Sequence, residues 1–199
     1  MFHPSPALRI DTKQGDEKTR TALEAVVKDI EGADFVVWSD ASAIYDNGIG
    51  AWACRVYSEK YQVCQTDIGV LTNTNTNRAE LQGLLSGLIR IDGLIEKLRL
   101  RSPGWVPRIV WVGDRENLII GISEDSWRKK DRDLWAAYEE FERMRGWRIS
   151  ARHVPRDCAI PDHDDLDRLA SELYLILKHY ITTNSPSFPL EATALDLKK

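Results

Sequence analysis

Two apolar runs in this chain stop in an acid. Phe35-Val36-Val37-Trp38-Ser39-Asp40 is followed by the small residues Ala41 and Ser42, and Ile109-Val110-Trp111-Val112-Gly113 leads into Asp114. Valine, isoleucine and tryptophan favour buried strands, so both runs read as central strands carrying a carboxylate at the carboxyl end. Open α/β sheets place their ligands there. Asp40 could equally do no more than end its strand, and Asp114 could cap a short helix over Arg115 to Ile122. A long helix between the runs would make the strands parallel neighbours through a right-handed crossover. Asp40 and Asp114 would then emerge at one sheet edge.

The remaining segments fit around that pair. Met1 to Gly15 is polar and proline-containing and reads as a loose leader; Asp16 to Ile30 reads as a helix stopped by Gly32. The first strand is expected over Ala33 to Asp40, because Asp-Ala-Ser-Ala is a poor continuation. Ile49 to Ser58 and Tyr61 to Val70 read as two further strands of an antiparallel meander, with turns at Asp46-Asn47-Gly48 and Glu59-Lys60. Arg78 to Leu100 is a long helix whose stripe of Leu81, Leu84, Leu85, Leu88, Ile91 and Ile95 has the helical period. Glu80 lies in its first turn, where Asn77-x-x-Glu80 also has the spacing of a capping box.

Downstream, Glu124 to Asp133 is charged and irregular, Leu134 to Arg145 reads as a helix, and Trp147 to Val154 as a last strand broken by Pro155. The closing helix is expected over Asp162 to Tyr180, with Leu166, Leu169, Ala170, Leu173, Leu177 and Tyr180 as its core face. Asp162, Asp164, Asp165 and Asp167 crowd its start. The helix dipole accounts for one or two of these acids, but not for Asp167 in the second turn beside the apolar face. The expected organisation is a leader and extra helix over 1–32, one α/β domain over 33–182, and a flexible tail over 183–199.

A chain of 199 residues suits one well-buried domain with extensions. Its net charge of −4 argues against a polyanion binder relying on bulk positive charge, although setting aside four metal-ligating carboxylates balances acids and bases. Between Arg128 and Arg156, nine basic residues outnumber five acidic ones, a surplus that a solvated helix face also explains, with Glu139 and Arg143 as an i,i+4 pair. Cys54, Cys64 and Cys158 lack metal-site spacing. They read as reduced core cysteines, although Cys54 and Cys64 could face each other across a hairpin. With no apolar run of membrane-spanning length and no signal-peptide pattern at Met1-Phe2-His3-Pro4, an intracellular protein, cytoplasmic or nuclear, is expected.

Four acids thus have defined places: Asp40 and Asp114 at strand ends, Glu80 at a helix start, and Asp167 in the closing helix. Carboxylates gathered around one point repel and need divalent cations between them. Oxygen-only ligation suits Mg²⁺ or Mn²⁺. Two such ions roughly 4 Å apart can activate water and stabilise the leaving oxygen of a phosphodiester. That chemistry points to a nuclease or phosphoryl-transfer enzyme.

Taken together, these segments resemble ribonuclease H of type 1, over about Ala33 to Tyr180. Ser39-Asp40-Ala41-Ser42 is similar to that family's first motif, and Thr76-Asn77-Arg78-Ala79-Glu80-Leu81 to its second. Val112-Gly113-Asp114 is similar to the third, and His163-Asp164-Asp165-Leu166-Asp167-Arg168-Leu169-Ala170 to the fourth. Asp133-Leu134-Trp135 and Arg152-His153-Val154-Pro155 also look familial. The resemblance implies a ribonuclease H-like mixed five-stranded sheet, three antiparallel strands then two parallel, flanked by helices. It implies cleavage of the RNA strand of RNA–DNA hybrids with two Mg²⁺ ions, or Mn²⁺, leaving 5′-phosphate and 3′-hydroxyl ends.

Carried over by position, Asp40 would bridge both metals, Glu80 and Asp114 would complete one site, and Asp167 the other, with Asp164 and Asp165 as runners-up. His153 would assist proton transfer or product release, or else simply close the last strand. Asn75, Thr76, Asn77 and Gln82 would contact the hybrid, where 2′-hydroxyls distinguish RNA from DNA. Arg115 departs from the family's small residue after the third aspartate, and could grip the scissile phosphate or weaken metal binding. Arg128-Lys129-Lys130 is only a remnant of the basic handle in some members, so weak hybrid binding with a shallow salt dependence is expected. The alternatives are a catalytically silent RNA- or hybrid-binding module on the same fold, a different nuclease of the superfamily, or a structural interaction protein. A silent module would be marked by a lost carboxylate, and the clustered acids have no part in an interaction protein.

Overall fold

The computed structural model describes residues 9–44, 48–102, 104–156 and 158–184. In chain order these form α1 (Glu17–Glu31), β1 (Phe35–Ile44), β2 (Ile49–Ser58), β3 (Val63–Thr72), α2 (Thr76–Lys97), β4 (Arg108–Gly113), α3 (Glu116–Ser123), a 3-10 turn (Asp125–Trp127), α4 (Arg132–Arg145), β5 (Arg148–His153) and α5 (Pro161–Asn184). The leader before Arg9, Asp46 and Asn47 of the expected turn, and the tail beyond Asn184 lie outside the described residues.

The five strands form one sheet in the order β3-β2-β1-β4-β5. β1, β2 and β3 are antiparallel, while β4 and β5 run parallel to β1. This is the mixed sheet expected from the sequence. Strand alternation divides β1 and β4 between two cores. Phe35, Val37, Ile109 and Trp111 pack under the apolar stripe of α2, together with Trp135 and Tyr138 of α4. Val36, Trp38, Val110 and Val112 pack on the other face with Leu23, Val26 and Ile30 of α1 and Leu166 and Ala170 of α5. The N-terminal helix therefore shares the domain's core.

Two glycines bring α2 onto the sheet. Gly83 and Gly87 lie one turn apart, and a Cβ on Gly87 would stand 2.6 Å from Val37 Cγ1, one on Gly83 3.1 Å from Ser39 Cβ. That close approach seats the first turn of α2, and with it Glu80, beside the end of β1. The helix is capped two residues earlier than its sequence suggests, by Asn75, whose side chain accepts the Arg78 N–H at 2.9 Å. Asn77 is inside the helix, and Glu80 is not part of a capping box.

Several boundaries differ from the sequence expectation for local reasons. β1 does not end at Asp40 but continues to Ile44, paired residue for residue with Ile49 to Ala53 of β2. The small residues Gly50 and Ala51 stand opposite Ala43 and Ser42, and Ala53 opposite Asp40 itself, so the two backbones pair closely past the acid. What stops near Asp40 is the parallel pairing, whose last partners are Trp38 and Val112. Residues Arg9 to Gly15 are tied down, because Arg9 binds Asp162 and Gln14 exchanges hydrogen bonds with Ala159. On α5 the core face holds Leu166, Ala170 and Tyr174, whereas Tyr180 is exposed. Glu139 pairs with Arg128 and Arg132, and Arg143 with Glu140, so the expected Glu139–Arg143 pair does not form. No disulfide joins the three cysteines, and Cys54 stands opposite Asp67, not Cys64.

Candidate active site

Asp40 and Asp114 stand in the same register relative to β1 and β4, each two residues beyond the last parallel pair, Trp38 and Val112. By alternation both lie on the α5 face of the sheet. Loss of the interstrand ladder at that point opens a notch at the carboxyl ends of the strands. Asp40, Asp114 and His163 each present a ligand atom there, all within 4.8 Å of one another. Glu80 enters from α2 and is fully buried, with Arg115 Nε donating to its Oε1 at 2.8 Å. Asp114 Oδ2 accepts from Arg156 Nε at 2.5 Å. Asp114 does not cap α3, whose N-cap position is Arg115.

The start of α5 is held in place by arginines. Arg55 of β2 and Arg9 both donate to Asp162, which is almost fully buried. Arg55 and Arg168 also grip Asp165, holding its carboxyl below the usual carboxylate range. Asp162 and Asp165 are thus spent on anchoring the helix, which removes Asp165 as a ligand candidate. Asp164 and Asp167 are exposed. Asp167 lies close enough to Asp40 to disfavour its ionisation, although it is outside the tight Asp40–Asp114–His163 group.

Electrostatics mark the notch as a place short of positive charge. Burial pushes the Asp40 carboxyl up to about 6, with Asp114 and Asp167 adding to the effect and His163 opposing it. Glu80 is raised well above the ordinary glutamate range by burial, then by Asp114 and Asp40, against the pull of Arg115. Buried polar atoms normally have partners, yet Glu80 Oε2, Asp114 Oδ1 and His163 Nε2 make no hydrogen bond. Clustered carboxylate oxygens lacking donors fit a divalent cation, and a hard, oxygen-rich set fits Mg²⁺ or Mn²⁺.

The other expected residues surround the notch unevenly. His153 ends β5 with Nε2 3.1 Å from the Asp114 carbonyl oxygen. Thr76, Asn77 and Gln82 are half-buried at the start of α2, while the Asn75 side chain is used as the cap. Asn77 also lines a groove of about 450 Å³ with Asn117, Trp127, Lys129 and Lys130. Arg128 is not part of any basic handle. It is buried, donates to the carbonyls of Gly121 and Ile122, pairs with Glu139, and stacks on Trp135 and Tyr138. Sequence reasoning missed His163 and Arg156 as members of the site. His163 carried one usable signal: it stands four residues before Asp167, on the same helical face.

No protein-family model matches the chain, and no curated protein matches it. Solved structures do. The chain resembles LC11-RNase H1, a protein isolated from compost, in its complex with an RNA/DNA hybrid; identity is 16% and the TM-score 0.55, covering 71% of this chain and 99% of that one. It resembles RNase H1 from the archaeon Halobacterium salinarum at 19% identity and TM-score 0.53, covering 71% and 98% of the two chains. The N-terminal RNase H domain of a Mycobacterium tuberculosis protein, solved as a fusion with maltose binding protein, matches at 20% identity and TM-score 0.55, covering 74% and 97%. The chain has the ribonuclease H fold.

Proposed function

We propose that this protein is a divalent-cation-dependent endoribonuclease that cuts the RNA strand of RNA–DNA hybrids, leaving 5′-phosphate and 3′-hydroxyl ends. The observation that carries the reading is the meeting of Asp40, Asp114 and the buried Glu80 at the strand ends of a ribonuclease H fold, with carboxylate oxygens left without donors. Asp40, Glu80, Asp114 and Asp167 would hold the cations. When bound, these supply an activated water and neutralise charge at the scissile phosphate.

The chain's own groups have the remaining work. Asn77, Thr76 and Gln82 at the start of α2 would contact 2′-hydroxyls and phosphates of the RNA strand. The groove between Asn77, Trp127, Lys129 and Lys130 offers an aromatic face and two ammonium groups to the paired strand. His153, at the rim beside Asp114, would carry a proton at the leaving end.

One observation favours a second reading, a hybrid-binding module with little or no catalysis. Arg115 and Arg156 sit on Glu80 and Asp114, where their guanidinium groups compete with cations for the same oxygens.

Cleavage of a labelled RNA–DNA hybrid with Mg²⁺ or Mn²⁺ decides between the two, with single-stranded RNA and duplex DNA as controls and Asp40→Asn in parallel. Cutting confined to the hybrid's RNA strand and lost in the variant is the expected result. Binding of hybrid without cutting, by folded protein with either cation, would leave the module.

A further inference from the structure

We propose that His163 is a nitrogen ligand to the cation held by Asp40 and Asp114, so that this site binds Mn²⁺ in preference to Mg²⁺. The inference rests on the cation-dependent reading above and adds a ligand to it.

His163 is placed for this role by the fold. It lies in the first turn of α5, directly after Asp162, whose carboxylate is fixed by Arg9 and Arg55 and is 1% exposed. That clamp holds the imidazole against the sheet. Its Nε2 is 3.5 Å from Asp40 Oδ2, and Asp114 completes a group whose ligand atoms all lie within 4.8 Å.

A simple ion pair with Asp40 describes this arrangement poorly. Asp40 Oδ1 already accepts the Ala41 N–H at 2.7 Å. His163 Nε2 is buried and makes no hydrogen bond, and neither does Asp114 Oδ1 across the notch. Two carboxylates and one imidazole nitrogen converge here, and the nitrogen and Asp114 Oδ1 have no hydrogen-bond donor or acceptor of their own, a donor set suited to a cation. Mg²⁺ takes oxygen ligands almost exclusively, whereas first-row transition ions accept imidazole beside carboxylate. One nitrogen in the set therefore tilts the site towards Mn²⁺.

The test uses the full chain with Mn²⁺ alone as the probe. Electron spin-echo spectroscopy of the Mn²⁺-loaded protein reads directly whether a nitrogen is coordinated. A ¹⁴N modulation is expected in the unmodified chain and in His153→Asn, which removes the other nearby imidazole, and is expected to vanish in His163→Asn and His163→Gln. In titrations, both His163 variants should bind Mn²⁺ about tenfold more weakly, with Mg²⁺ affinity, read by competition, changed less than about threefold.

Bound Mn²⁺ without nitrogen modulation in the unmodified chain would overturn the assignment, as would modulation persisting in folded His163→Gln. Failure of the folded chain to bind Mn²⁺ at all would instead remove the cation-dependent reading, and this inference with it.

Discussion

Arg115 Nε donates to Glu80 Oε1 at 2.8 Å, and Glu80 is fully buried. A guanidinium thus donates to the deepest carboxyl of the site and stands beside Asp114 as well, 3.8 Å from its Oδ1. Removing the guanidinium leaves a buried carboxyl oxygen without its donor, at a cost of about 1–3 kcal/mol. Arg115→Ser is therefore expected to lower the melting temperature in chelator by several degrees. The same substitution frees Glu80 for a cation, so added Mn²⁺ should restore more stability to the variant than to the parent. Equal restoration in calorimetry would show that Arg115 does not compete with the ion.

Asp40 provides the pH dependence. Its carboxyl titrates at about 6 when folded, against about 4 in an unfolded chain. Between those limits the folded state binds more protons, so metal-free protein loses stability as pH rises through the window. Asp40→Asn removes the buried charge while its amide oxygen can still accept the Ala41 N–H. In chelator near neutral pH the variant should be more stable than the parent, by about 3 kcal/mol at most, and the difference should disappear near pH 4. Denaturant melts at both pH values measure it; a variant less stable at neutral pH would count against the buried-charge account.

Much of the fold was legible because it depends on local pattern. The strands containing Val36–Trp38 and Ile109–Val112 are continuous apolar runs, and the α2 stripe keeps its period over six buried positions. Asp40, Glu80 and Asp114 were legible for the same reason, being acids at the ends of such elements. What escaped depends on partners distant in sequence. β1 runs on to Ile44 because β2 pairs with it. Arg128 reads as a surface cation and is buried because Gly121, Ile122 and Glu139 receive it. His163 is drawn into the notch by Arg9 and Arg55, each more than a hundred residues away.

Gly87 tests how closely α2 must lie on the sheet. Alanine would gain about 1 kcal/mol of helix propensity, but its Cβ would stand 2.6 Å from Val37 Cγ1 in a fully buried position. Overpacking of that kind costs about 1–3 kcal/mol. The net expectation for Gly87→Ala is destabilisation, together with weaker cation binding as Glu80 is lifted from Asp40 and Asp114. Gly93→Ala on the same helix is the control, because its Cβ meets nothing within 4 Å, and it should stabilise. Equal effects of the two substitutions in thermal melts would refute the close-packing argument.

The basic segment Arg128-Lys129-Lys130 separates into a structural residue and two that can meet nucleic acid. Arg128 is 6% exposed and satisfies two carbonyls at the end of α3. Lysine lacks the planar fork that reaches both, so Arg128→Lys should cost about 2–4 kcal/mol through unsatisfied buried groups while leaving the salt dependence of hybrid binding unchanged. Lys129 and Lys130 are exposed beside Trp127 and Asn77. Replacing both with alanine should leave stability unaltered and make the slope of log K against log salt shallower by up to about two. The parent slope should itself be shallow, since few cations face the groove. Binding titrations across a salt series, paired with melts of each variant, separate the roles. A salt slope that changes with Arg128→Lys and not with the double lysine variant would reverse the assignment.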